Sequence, residues 1–106
     1  MNMKKIDEAI EAGRQKYPDL QHVQRKMLRW YAPNGFDNPD DVKCNGACAV
    51  GFALLGIGYN FDEISERGYT LAEDNFGHYI YTAVQKVNDE ERMTLDEIIQ
   101  YAKENL

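Results

Sequence analysis

Four side chains hold most of the reactive chemistry in this sequence: Cys44, Cys48, His22 and His78, which are all its cysteines and histidines. Asn88 and Asp89 stand further along as groups able to orient an imidazole. Cys48 is the candidate nucleophile. In Asn45-Gly46-Ala47-Cys48 it falls in the first turn of an apolar helix, where unpaired N–H groups and the positive end of the helix dipole favour a thiolate. His78 would then serve as the base, with Asn88 or Asp89 holding it. The competing reading of Cys48 is a buried thiol packing as a small hydrophobe, the commoner fate of a free cysteine. Asn88-Asp89 has a competing reading too: Asn88 ends a helix in the left-handed conformation and Asp89 bonds within its own turn. Two Cys and two His could complete a tetrahedral zinc site, but the spacing is one C-x3-C with two distant single histidines. His22 also lies in a solvated stretch, Gln21-His22-Val23-Gln24. Neither a metal nor a cofactor is expected.

The chain has no phosphate-binding glycine loop, no H-E-x-x-H and no G-x-S-x-G. Adjacent carboxylates, Asp40-Asp41 and Glu90-Glu91, read as solvation and helix starts rather than as acid–base pairs. Charge is uneven. Residues 1–61 hold eight Lys/Arg and seven Asp/Glu, a net of +1; residues 62–106 hold four and eleven, a net of −7. Such a half repels phosphate, which disfavours direct nucleic-acid binding and points to a basic protein partner. Glu90, Glu91, Asp96 and Glu97 are the expected binding residues. A small basic cluster, Arg25, Lys26 and Arg29, lies beside Trp30 and Tyr31; basic and aromatic residues together can contact nucleic acid, against which Trp30 reads as core and the cluster as a face that could pair with the acidic half. Met27, Trp30 and Tyr31 would be the contact if the protein self-associates, and the oligomeric state stays open.

These side chains must be placed by helices. The 106 residues are the size of one domain, and 43% hydrophobic composition is enough for a core. The fold class expected is mainly α: a compact bundle of about five to six short helices around a buried apolar central helix over 45–57, with one short strand admitted near 79–84. The first helix runs from Met3 to Tyr17 on the stripe Met3, Ile6, Ile10, Gly13 and Tyr17. Asp19 caps a second, with Leu20, Val23, Met27 and Trp30 or Tyr31 inward. Pro33-Asn34-Gly35 ends it, and Pro33–Lys43 is a loop. The central segment Ala47–Leu55 is apolar on every side, as in a buried helix, and its small residues let neighbours approach closely. Asn60-x-x-Glu63 opens a short helix closed by Gly68, Thr70-x-x-Glu73 opens the next, and Thr94-x-x-Glu97 opens the last, Leu95–Asn105. Gly77 marks a break, and Tyr79-Ile80-Tyr81-Thr82 favours strand by propensity. The apolar run Ala47–Tyr59 is too short to span a bilayer. The charged start reads as no signal peptide, and the two thiols suit a reducing compartment, so the cytoplasm is expected.

Two segments together, Cys48-Ala49-Val50-Gly51-Phe52-Ala53 and Val87-Asn88-Asp89 followed by Thr94-Leu95-Asp96-Glu97, resemble a family of small proteins of actinobacteria and phages that has no assigned activity. Val87 stands where that family usually has an aromatic, and Phe52 where it often has alanine. The resemblance implies a similar compact domain and a bacterial or phage source. Gly46-Ala47-Cys48 and the order Cys, His, Asn/Asp also resemble papain-like thiol hydrolases, although those carry the His and Asn on a sheet and this chain reads as helix. Small size, the absence of a catalytic motif and the concentrated acidic surface make the leading expectation a small acidic accessory protein, phage-encoded on the resemblance, that acts by binding another protein, with inhibition one form that binding could take. The alternative is a small thiol-dependent enzyme using Cys48 with His78 and Asn88 or Asp89.

Overall fold

The computed structural model describes residues 4–33, 35, 37, 40 and 42–106; Met3, Asn34 and Asp41, on which parts of the expectations fall, lie outside them. Helix α1 spans Ile6–Lys16 and buries Ile6, Ala9, Ile10 and Gly13, the expected stripe. It stops where Pro18 follows, since the residue before a proline is pushed out of the helical region. Among the described residues no helix is long and apolar enough to cross a membrane.

The segment expected to form the second helix is instead extended. Strand β1 is Gln21–His22 and β2 is Leu28–Tyr31, and both pair with β3, Lys43–Ala47, in the order β1-β3-β2. β1 runs parallel to β3 and β2 antiparallel, with Leu28 opposite Ala47 and Trp30 opposite Cys44. The apolar spacing of Leu20, Val23 and Met27 suits a helix locally, but β3 supplies a ladder for both flanks of the segment, and tertiary pairing outweighs weak local propensity. Gly46 permits the close approach: a Cβ there would lie 2.8 Å from Val23 Cγ1 and 3.3 Å from Arg29 Cβ. Arg29 bridges the outer side of the sheet, donating to Asn45 Oδ1 and Gln21 Oε1. Its side chain is thereby engaged with the sheet rather than with the acidic half of the chain.

The central helix is shorter than 45–57 because Lys43–Ala47 is strand; α2 spans Ala49–Gly56, with Cys48 as its N-cap. Ala49–Leu55 are all buried, as expected of a helix apolar on every side. Phe52, Leu54 and Leu55 are fully enclosed, and burying each such side chain stabilises the fold by about 1.5–3 kcal/mol. α1 lies directly on α2 because of two glycines. A Cβ at Gly13 would sit 1.9 Å from Phe52 O, and one at Gly56 would sit 2.0 Å from Ala9 O.

Helix α3, Phe61–Phe76, opens with the expected capping box: Asn60 Oδ1 accepts from Glu63 N at 2.8 Å, and Glu63 Oε1 accepts from Asn60 N at 3.1 Å. It does not end at Gly68. Two helical stretches instead join across a kink at Arg67 (φ −136°, ψ 26°), one residue from the expected break, and Thr70 lies inside the second stretch rather than capping it. Gly77, at φ 89°, breaks it from α4, His78–Asp89. The strand admitted near 79–84 is helix. Tyr81, Val84, Val87 and Asn88 recur at helical spacing and are buried, and that one-sided burial overrides the strand preference of the Tyr-Ile-Tyr-Thr run. Thr82 Oγ1 meets its own need by donating to His78 O at 2.7 Å. Asn88 is thus inside a helix, not a left-handed stop; the left-handed residue is Arg92 (φ 51°), beyond the helix end. Helix α5, Leu95–Asn105, has the expected capping box on Thr94 and Glu97 and buries Leu95, Ile98, Ile99 and Ala102. Among the described residues the protein is mainly α, five helices with a small three-stranded sheet.

Candidate functional site

Asn88 is the one buried polar side chain among the described residues, with no exposed surface, and every polar atom of its amide is used. Oδ1 accepts from Ala49 N at 3.0 Å and from His22 Nε2 at 2.5 Å. Nδ2 donates to Val23 O at 3.2 Å and to Asp89 Oδ1 at 2.7 Å. Because Oδ1 is only an acceptor, His22 Nε2 must carry the proton on that side. Asp89 Oδ1 also accepts from Arg25 N at 2.7 Å, pinning a residue held at φ 65°, a conformation that costs a non-glycine residue about 1–2 kcal/mol. The pair therefore ties the end of α4 to the first turn of α2 and to the β1–β2 connection. Buried polar groups linked this fully rigidify the elements they join.

Cys48 sits one residue from this hub and is closed off. Its Sγ accepts from Gly51 N at 3.4 Å and lies 3.9 Å from Met27 Sδ, and its own N–H donates to Met27 O. Of the N–H groups at the start of α2, Ala49 N is taken by Asn88 and Phe52 N by Cys48 O, while Gly51 N points at Cys48 Sγ itself. Burial pushes the thiol up to about 11, outweighing the bonds from Gly51 and Val50 that favour the thiolate. The helix-terminus argument for an activated Cys48 loses to desolvation. Cys44 is on β3, half-buried and free, with its thiol 3.3 Å from Gly46 O and its pKa also raised by burial. Alkylation should accordingly find Cys44 first. Cys48 should stay unmodified in the native protein and react only on unfolding, as intact mass and peptide mapping would read. A thiol whose folded pKa is raised adds stability below the unfolded value and loses it as pH climbs to the folded one. The loss attributable to Cys48 thus falls between about 8.5 and about 11.

His78 belongs to a different neighbourhood. It begins α4, with its ring edge-on to Tyr81 at 5.4 Å and Nδ1 3.9 Å from Glu73 Oε1. The imidazole the structure brings to Asn88 is that of His22. The sequence offered no signal for this pairing, because 66 residues separate the partners. Among the described residues no group of three or more His, Cys, Asp or Glu is placed to hold a metal ion.

The expected binding carboxylates divide. Glu97 is committed to the Thr94 cap, and the bonds from Thr94 hold its carboxyl below the usual range. Glu90 and Glu91 are exposed at the end of α4. Asp96 faces α1, where Arg14 bonds both Asp96 and Glu11. There α1 and α5 flank an open groove of about 570 Å³, lined by Asp7, Glu8, Glu11 and Asp96 together with apolar Ala12 and Ile99. Periodicity placed charges on the outer face of α1, but only the docking of α5 makes them one wall of a groove. No family model, no curated protein and no solved structure matches this chain, which leaves its own residues as the guide to what it does.

Proposed function

We propose that this is a non-enzymatic accessory protein that binds a basic segment of another protein in the groove between α1 and α5. The observation that carries the reading is the make-up of that groove: four carboxylates against Arg14 and Lys103, around apolar Ala12 and Ile99. Arg14 is already satisfied by Glu11 and Asp96, so Asp7 and Glu8 keep charge to offer a partner. An amphipathic helix with lysines flanking an aliphatic stripe suits a groove that sets carboxylates beside apolar Ala12 and Ile99. The closed environment of Cys48 favours this reading over thiol catalysis. Both cysteines being free accords with work in a reducing compartment.

A lysine–leucine amphipathic peptide titrated into ¹⁵N-labelled protein tests it. Saturable shifts should centre on Asp7, Glu8, Ala12, Asp96 and Ile99, and affinity should fall as salt rises. Asp7→Lys with Glu8→Lys should weaken binding about tenfold, roughly 1.4 kcal/mol. Shifts elsewhere on the surface, or affinity indifferent to salt and to the charge reversal, would reject the groove as the binding site.

A further inference from the structure

A second concave site lies where α1 ends against the sheet and α3, and it has the opposite charge. Tyr17 packs on Phe61 with ring centroids 5.1 Å apart and planes at 58°, and Phe61 meets Trp30 nearly edge-on at 6.4 Å. The β2–β3 register sets Tyr31 opposite Lys43. Tyr17, Tyr31 and Phe61, with Lys16 and Lys43 beside them, line a hollow of about 460 Å³. That lies within the range of small-ligand sites, about 300–1,000 Å³. A second hollow of about 530 Å³ adjoins it, sharing Lys43, Cys44 and Phe61 and reaching Trp30.

The lining is unusual for a surface at rest. Tyr31 leaves 54% of its surface in water. Lys16 Nζ sits 5.7 Å from the Tyr17 ring centroid. Among the described residues, neither Lys16 nor Lys43 has a carboxylate within ion-pair distance. Among the described residues Asp19 is the one acid in this lining, so this hollow sets two ammonium groups against one carboxylate, a net of +1, with Asp62 lining the adjoining hollow. The chain's overall −6 is screened over about 10 Å and does not cancel a local field at contact distance. Aromatic faces take a flat ring by stacking, and a net single positive charge takes one anionic group.

We infer that this hollow binds a small planar aromatic carboxylate, its ring lying against Tyr17, Tyr31 and Phe61 and its carboxylate between Lys16 and Lys43. The site is separate in its residues from the α1–α5 groove, so either can fail without the other.

2-Naphthoate is the probe, with 2-naphthylmethanol as the ring without charge and acetate as the charge without ring. Titrated into ¹⁵N-labelled protein, naphthoate should move the amides of Tyr17, Tyr31, Cys44 and Phe61 saturably, and perturb the emission of Trp30, the only tryptophan. The alcohol and acetate should each bind at least about tenfold more weakly. Lys16→Glu with Lys43→Glu should lose at least about tenfold for naphthoate with the rest of the spectrum unchanged. Phe61→Leu should weaken naphthoate and alcohol alike. Equal binding of naphthoate and alcohol, retention of affinity in the double variant, shifts centred on other residues, or no saturable shift would each overturn the proposal.

Discussion

Asn88→Leu is expected to destabilise the protein by about 3–4 kcal/mol, read as a drop in the denaturant midpoint with little change in slope. Leucine has the same branched skeleton and is the bulkier side chain, so the loss is not a cavity effect. It strands Ala49 N and Val23 O, both bonded to the amide at present, in a place without water access, and each orphaned group costs about 1–3 kcal/mol. It also releases His22 and removes one of the two donors to Asp89 Oδ1. Asn88→Asp separates the polar role from shape. A carboxylate keeps the acceptor facing Ala49 N but sets negative charge against Val23 O and Asp89. Its pKa must therefore rise in the fold. Only when protonated can it donate to Val23 O, so this variant should be most stable at low pH. It should lose stability as pH rises through its raised folded pKa, from a window opening at about 4, the unfolded value. A variant equally stable across that window would show that the hub is incidental to the fold.

Gly56→Ala and Gly13→Ala are expected to cost about 3 kcal/mol or more each, the upper end of overpacking penalties. On helix propensity alone, glycine to alanine gains about 1 kcal/mol, so the sign itself is diagnostic. The obstruction is backbone: Ala9 O and Gly13 N lie 2.0 and 2.7 Å from a Cβ at Gly56, and Phe52 O lies 1.9 Å from one at Gly13. No rotamer change clears a carbonyl oxygen, so α1 must move off α2 and open the core at Ile10 and Phe52. Once the helices have separated for one substitution, the second meets less resistance. The double variant should cost clearly less than the sum of the singles, the behaviour of residues sharing one contact. Thermal melts of the three variants decide it. A small gain in stability for either single would mean the helices are not held this close.

These two sites differ in how much of them could be read from the chain. Gly13 falls on the apolar stripe of α1, and Gly56 ends a run rich in small residues, so a close helix approach was legible from spacing. The capping boxes at Asn60 and Thr94 were legible too, and so was the buried face of α5, because each is encoded within a few residues. Asn88 was different. Its neighbours suggested a helix stop, and nothing local indicates partners 39 residues away at Ala49, 65 at Val23 and 66 at His22.

The sequence by itself determined that this chain makes several helices, where two of them start, and that Ala49–Leu55 lies at their centre. Periodicity and caps are local physics, felt within one or two turns. Tertiary structure decided that residues 21–22, 28–31 and 43–47 form a sheet, because a strand is stabilised by a partner distant in sequence and not by its own pattern. It turned residues 79–84 into helix, since one face at 3.6-residue spacing had α2 and α3 to pack against. It also made Cys48 a core thiol. A helix start favours the thiolate, and only the surrounding packing set how much water remained to solvate the charge.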